Sequence, residues 1–317
     1  MHFFNVESIT ELPDLSGYGL VLLASGFERR STHIASILRK QELKNVVVLG
    51  FLKDKELLSR RQNDEYFESV FEKPIICIGE YDVGEIFSIL EDAARNVIGP
   101  LRVFVDYSVM TRTWYAAILT WARFATRNSE IVIDFAYSAG AYLGEFEPLS
   151  ISEIVSIEGF EGISGGFRNT TAFYGLGYDK YASLALHDRL EPDSVYCYIS
   201  QKSLSDQAAA KVLHENETLV DVSNDIIRLP LTDIAVGFRI LCDYIGGMDR
   251  SSHLVMVPMG PKTHVLMTLL VGLQMPWITC LHAKGRRSDP VQVDASGEVG
   301  VARVWFMSES NDIFSVK

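Results

Sequence analysis

Leu20-Val21-Leu22-Leu23-Ala24, followed at once by Ser25-Gly26-Phe27-Glu28-Arg29-Arg30-Ser31-Thr32, decides how the rest of the chain is read. The first five residues are a continuous apolar run. A Ser-Gly turn ends it, and a helix-like stretch follows to about Lys40. A strand apolar on both faces is one buried on both faces, which points to a parallel sheet covered by helices. The alternation continues: Val46–Leu49, Ile75–Ile78, Val103–Val105 and Ile131–Phe135 read as further strands, with helix-type segments between them. The fold class expected is α/β, with a Rossmann-like layer arrangement.

The same pattern returns in the second half at a nearly constant offset. Gly26-Phe27-Glu28-Arg29 answers to Gly177-Tyr178-Asp179-Lys180 (177 − 26 = 151), each a glycine, an aromatic, an acid and a base. Asp82-Val83 answers to Asp233-Ile234 (233 − 82 = 151). Asp106-Tyr107-Ser108-Val109-Met110-Thr111-Arg112, after its apolar strand, answers to Pro258-Met259-Gly260-Pro261-Lys262-Thr263-His264 (263 − 111 = 152). Three landmarks in one register indicate a tandem duplication: a first Rossmann-like unit over 1–150 and a second over 151–317, with the seam near 145–170. Two copies of one unit are expected to pack about a pseudo-twofold axis, as subunits of a homodimer do. The Gly-rich stretch Gly159–Phe167 reads as the connection between them.

Composition bounds the function. The chain has 317 residues, 48% of them hydrophobic, enough to bury a core in each half. A net charge of −12 argues against a broad duplex-DNA surface, since phosphate neutralisation supplies most non-specific affinity. A local basic pocket for a small anion is compatible with that charge. Cys77, Cys197, Cys242 and Cys280 form neither a disulfide framework nor a zinc spacing, and no metal site is expected. No signal peptide and no run of about 20 apolar residues is found, so a soluble cytoplasmic chain away from membranes is expected. Neither G-x-G-x-x-G nor a Walker loop is present, and no cofactor is expected.

In an open parallel sheet ligands bind at the carboxyl ends of the strands, where helix N-termini offer free N–H groups. Two kinds of motif fall there. The strand-one loops supply Ser25, Gly26, Phe27, Glu28, Arg29 and Arg30 in one half, and Gly175, Gly177, Tyr178, Asp179 and Lys180 in the other. Their glycines permit close backbone approach, and their bases suit phosphate. The alternative makes the glycines turn residues and the charges a solvated helix start. The strand-four loops supply Asp106, Ser108, Thr111 and Arg112, and Gly260, Lys262, Thr263 and His264, each opening a long apolar helix. Capping alone is the competing explanation for their hydroxyls. The aromatic residues Trp114, Tyr115, Trp121 and Phe124 fall at helical spacing and read as core rather than a base-stacking platform. The charge run from Lys53 to Arg61 reads as a solvated helix face.

A strand, a short Ser/Thr/Gly loop with Lys or Arg, then an apolar helix resembles the D-x-T-G-G-T-K loop of CRISPR-associated Rossmann-fold (CARF) sensor domains. The doubled layout resembles the SAVED domains of bacterial antiphage signalling, which look like two such units in one chain. Carried over residue by residue, Ser108, Thr111, Arg112, Gly260, Lys262 and Thr263 match the strand-four loop. Ser25, Gly26, Gly175 and Gly177 match the strand-one loop. Tyr107-Ser108-Val109-Met110 replaces the T-G-G-T core, and Pro261 interrupts the second copy, which leaves the ligand open. The resemblance implies a sensor of a nucleotide-type anion, such as a cyclic oligonucleotide, held in a pocket between the repeats. It would act in antiviral defence through a separate effector protein, with a homo-oligomer among the expected forms. A ring nuclease that cleaves the ligand without a metal is the enzymatic alternative, and an interaction subunit with a vestigial pocket is the third. No catalytic residue is assigned.

Overall fold

The computed structural model describes residues 4–125, 130–141, 148–162, 166, 169–203, 206–248, 250–286 and 289–307, without the side chains of Lys180 and Arg286. They form two compact units: 1–143 together with 292–317, and 144–291. Each is an α/β unit on a mostly parallel sheet.

In the first unit the strands are β1 (Phe4–Ile9), β2 (Leu20–Ser25), β3 (Val46–Phe51), β4 (Ile76–Ile78), β5 (Leu101–Asp106), β6 (Ile131–Ala141) and β13 (Asp294–Phe306). Their order is β4-β3-β2-β5-β6-β13-β1. All six residues of β2 are buried, as its unbroken apolar run requires of a central strand. β2 through β6 pair in parallel, whereas β13 runs antiparallel to both β6 and β1. A short 3-10 turn (Arg29–Thr32) leads into α1 (His33–Leu38), and α2 (Arg60–Phe71), α3 (Gly84–Arg95) and α4 (Arg112–Ala125) follow. In α3 the buried Ile86, Leu90 and Ala93 recur every three or four residues, so one stripe faces the sheet. Trp114, Tyr115 and Trp121 of α4 are buried, and Trp114 stacks on Phe51 with centroids 4.6 Å apart. These aromatics belong to the core, while Phe124 is exposed.

In the second unit the strands are β7 (Ser150–Ser156), β8 (Thr170–Gly175), β9 (Ser194–Ser200), β10 (Ile226–Leu229), β11 (His253–Pro258) and β12 (Thr279–Arg286). They lie in the order β10-β9-β8-β11-β12-β7. The helices are α5 (Lys180–Leu190), α6 (Gln207–Glu215), α7 (Glu217–Asp221), α8 (Ile234–Gly246) and α9 (Lys262–Gln274). Side chains of Asp179, Asp206 and Asp233 accept from first-turn N–H groups of α5, α6 and α8, satisfying donors that have no partner within the helix. Every residue of α9 from Thr263 to Leu273 is buried, so this helix has no solvent face.

The duplication is plain in the element order. β8, β9, β10, β11 and β12 repeat β2, β3, β4, β5 and β6 in the same lateral arrangement, and corresponding helices keep the offset (234 − 84 = 150; 262 − 112 = 150). The division differs from the expected 1–150 and 151–317 in one respect. β13, the last strand of the chain, completes the first sheet, where Val301 sits in the core with Val21, Phe104 and Ala136. β7, which follows β6 in sequence, pairs instead antiparallel with β12. The two final strands are thus exchanged: each repeat ends in a strand that edges the other's parallel run. Antiparallel pairing requires only matched registers, not a short connection, so the exchange leaves every ladder filled. The expected connection Gly159–Phe167 lies inside the second unit, not between the two: of its residues 159–162 and 166 are described, and Phe160 is buried and packs near Gly272 of α9.

Candidate ligand-binding site

In each sheet the strand order reverses once, between β2 and β5 and between β8 and β11. Such a switch point is where an open α/β sheet leaves a crevice at its carboxyl ends. The four expected loops lie at these two places. Ser25 to Arg30 follow β2 and Asp106 to Arg112 follow β5; Gly175 to Lys180 follow β8 and Gly260 to His264 follow β11.

The first unit binds its loops by a buried polar network. Asp106 accepts from both the N–H (3.0 Å) and the Oγ (2.5 Å) of Ser108, an Asx-type turn that holds the loop after β5. Ser108 Oγ in turn accepts from the N–H of Ser138 on β6 (2.8 Å). Arg30 is buried: its Nε donates to Glu28, and its Nη1 donates to Tyr137 Oη and to the Ser138 carbonyl, both at 3.0 Å. A buried guanidinium needs such partners to offset its lost hydration. His33 Nδ1 lies 2.8 Å from Ser138 Oγ, and burial lowers the imidazole's pKa from its ordinary value. Ser25 Oγ donates to Asp64 (2.6 Å), which also accepts from Arg60 Nε (2.7 Å). Arg60 opens α2 and is buried, so the charge run from Lys53 to Arg61 is solvated only in part. A Cβ on Gly50 would come within 2.5 Å of Arg60 Nη2, so glycine makes room for that side chain. Arg29 is exposed and faces Asp294 at 3.3 Å.

Phe27 is half-buried, and a Cβ at Gly26 would approach Val109 Cβ to 3.0 Å, so the loops after β2 and β5 touch. Thr111 Oγ1 accepts from the Trp114 N–H at a long 3.4 Å, and Arg112 is half-buried at the first position of α4.

In the second unit the two loops cross backbone to backbone. A Cβ at Gly177 would lie 2.6 Å from the Met259 carbonyl oxygen, one at Gly260 would lie 2.8 Å from that of Leu176, and one at Gly175 would strike the Tyr198 ring at 2.6 Å. These glycines permit the close approach. Asp179 Oδ1 caps α5 through Ala182 (3.1 Å) and its Oδ2 accepts from the Leu149 N–H (2.8 Å). Tyr178 is half-buried with Lys211 Nζ 5.6 Å from its ring centre; the side chain of Lys180 lies outside the described residues. α9 opens with half-buried Lys262 and buried Thr263 and His264. His264 Nε2 lies 3.2 Å from the Pro230 carbonyl, and burial pushes the imidazole down to about 4. Thr263 Oγ1 and His264 Nδ1 are buried with no hydrogen-bond partner among the described residues.

A matched pair of asparagines escaped the sequence reading. Asn63 Nδ2 donates to the carbonyls of Gly26 (2.8 Å) and Glu28 (2.9 Å), and Asn216 Nδ2 donates to that of Gly177 (2.8 Å). Their separation (216 − 63 = 153) follows the repeat register, which is the signal that would have found them.

Fold and loops together define a duplicated, doubly wound α/β protein with a polar loop pair at each switch point. No protein-family model and no curated protein matches the chain. Among solved structures it is similar to the cytoplasmic domain of a prokaryotic cation chloride cotransporter, at 15% identity over 84% of this chain and 96% of that one, TM-score 0.24. It is also similar to a universal stress protein from Archaeoglobus fulgidus DSM 4304, at 12% identity over 86% of this chain and 99% of that one, TM-score 0.25. Neither likeness bears on what the chain binds. Among the described residues no helix is long and apolar enough to cross a membrane.

Proposed function

We propose that this chain is a receptor for a nucleotide-type anion, a cyclic oligonucleotide in the first instance, held by the switch-point loops and signalling through a separate effector protein. The observation that carries the reading is repeated in both units. At each switch point a helix of more than three turns opens on a cation, Arg112 of α4 or Lys262 of α9, with no acid in its first turn. A helix N-terminus turns its first N–H groups and its positive dipole end outward, so an anion placed there is attracted by the helix and by the adjacent cation alike. A receptor is preferred to a ring nuclease for two reasons. The imidazole of His264 is buried and neutral at pH 7, and the Ser108 hydroxyl is engaged by Asp106.

Calorimetric titration with cyclic and linear oligoadenylates tests the proposal. Binding by the intact chain is expected, weakened in Arg112→Ala and Lys262→Ala by about 1.5–3 kcal/mol per charged hydrogen bond removed. Absence of heat with every oligonucleotide at high micromolar concentration ends the reading. Chromatography after overnight incubation separates the two functions: intact ligand for a receptor, linear product for a nuclease.

A further inference from the structure

The exchanged strands carry more than sheet edges, because each fastens a switch-point loop as it arrives. In the first unit, the Arg30 N–H donates to the Val293 carbonyl (3.1 Å) and Arg29 pairs with Asp294. With its amide turned so that both ends are satisfied, Gln292 accepts from the Arg29 N–H (2.7 Å) and donates to the Phe27 carbonyl (3.3 Å). In the second unit, the Leu149 N–H donates to Asp179, the residue that caps α5. Residues 292–294 follow β12 in the chain, and Leu149 follows β6. Each loop is therefore held by a segment that the other unit sends.

The ladders tie the two fastenings together. Asp294, at the start of β13, pairs with Ala141, the last residue of β6, from which the chain departs toward Leu149. Ser150, at the start of β7, pairs with Arg286, the last residue of β12, from which the chain departs toward Gln292. In each unit the arriving segment and the departing segment thus share a single rung.

We propose that this reciprocal exchange makes the two switch-point loops open and close together, so that the chain presents both or neither. The coupling concerns the loops of the proposed ligand site but requires no ligand, and is tested without one. Hydrogen exchange is followed by mass spectrometry on the full chain and on Gln292→Ala/Asp294→Ala. Faster exchange is expected at 27–31 in the first unit and also at 179–183 in the second, by about fivefold, the effect of losing about one net hydrogen bond. Linkage is reciprocal, so Leu149→Pro, which removes the N–H donor to Asp179, is expected to speed exchange at 27–31. Val6→Ala, which thins the first sheet away from the rung, is expected to leave 179–183 unchanged. The proposal is overturned if either strap variant leaves the opposite loop unchanged, or if Val6→Ala alters 179–183 as strongly as the strap variant does.

Discussion

Arg303→Ala is the substitution whose cost follows most directly from the structure. Asp134, in the middle of β6, is fully buried. Arg303 stands opposite it on β13 and grips the carboxylate with two bonds, Nε to Oδ1 and Nη2 to Oδ2, both 2.8 Å. Tyr18 donates its hydroxyl to the same carboxylate, and its pKa is raised by burial first and by Asp134 second. Breaking a buried pair from one side costs about 3–5 kcal/mol, because a charge is left behind without its partner. The Arg303 side chain is 22% exposed, so water reaches the site, and Tyr18 remains. The expected loss is therefore at the low end, about 3 kcal/mol. Replacing the whole group by apolar residues of similar size, Arg303→Met with Asp134→Leu and Tyr18→Phe, is expected to return to within about 1 kcal/mol of the parent, since neither a charge nor the Tyr18 hydroxyl is then left without a partner. Urea denaturation at pH 7 followed by circular dichroism measures each variant, with constant slope showing that the same surface unfolds. A loss below about 1 kcal/mol for Arg303→Ala, or a triple variant no better than the single one, contradicts this account, because the pair would then behave as an exposed one.

The other predictions concern the loops and the buried imidazole. Asn63→Ala strands two loop carbonyls and Asn216→Ala one, at about 2 and about 1 kcal/mol, read from thermal or urea unfolding. Gly177→Ala drives a Cβ into the Met259 carbonyl and is expected to cost about 1–3 kcal/mol, whereas Gly17→Ala, which meets nothing within 4 Å, is expected to be tolerated. The folded-state pKa of His264 lies at about 4, below the unfolded value of 6.5, so the unfolded chain takes up the proton first. Stability from this group is complete above pH 6.5 and falls as pH drops toward 4, by about 3 kcal/mol in all. Stability measured across that window is expected to slope less in His264→Gln, and an equal slope in both proteins contradicts the assignment.

The parallel core was legible because its signal is local. Leu20–Ala24 and Val103–Val105 are apolar on both faces, and only a sheet covered twice gives such runs. The repeat was legible because glycine and proline at loop crossings tolerate little change, and Gly26 and Gly177 kept their spacing. The antiparallel strands carry no such signal: β7 has no buried residue, β13 begins exposed and ends buried, both mix polar with apolar residues, and both acquire their positions from partners far away in sequence. Their exchange has no local signature, so sequence alone places the boundary near 150 and assigns the C-terminal strand to the second unit. The loop residues were found by place, but their engagements were not. Arg30, expected to face a phosphate, is instead enclosed by its neighbour Glu28 and by Tyr137 and Ser138, which β6 brings from more than a hundred residues away.

The exchange of terminal strands also sets an order of events on the ribosome. β6 is made long before its antiparallel neighbour: some 165 residues (306 − 141) emerge after β6 ends and before β13 is whole. At translation speeds of about 5–20 residues per second this is roughly 8–33 s. Throughout that interval the nascent first sheet has an open edge, and β7, made next, is the nearest strand able to form a hairpin with it. The newborn protein must therefore hold β7 back for a strand not yet synthesised, and any chain released early ends with its first sheet unclosed.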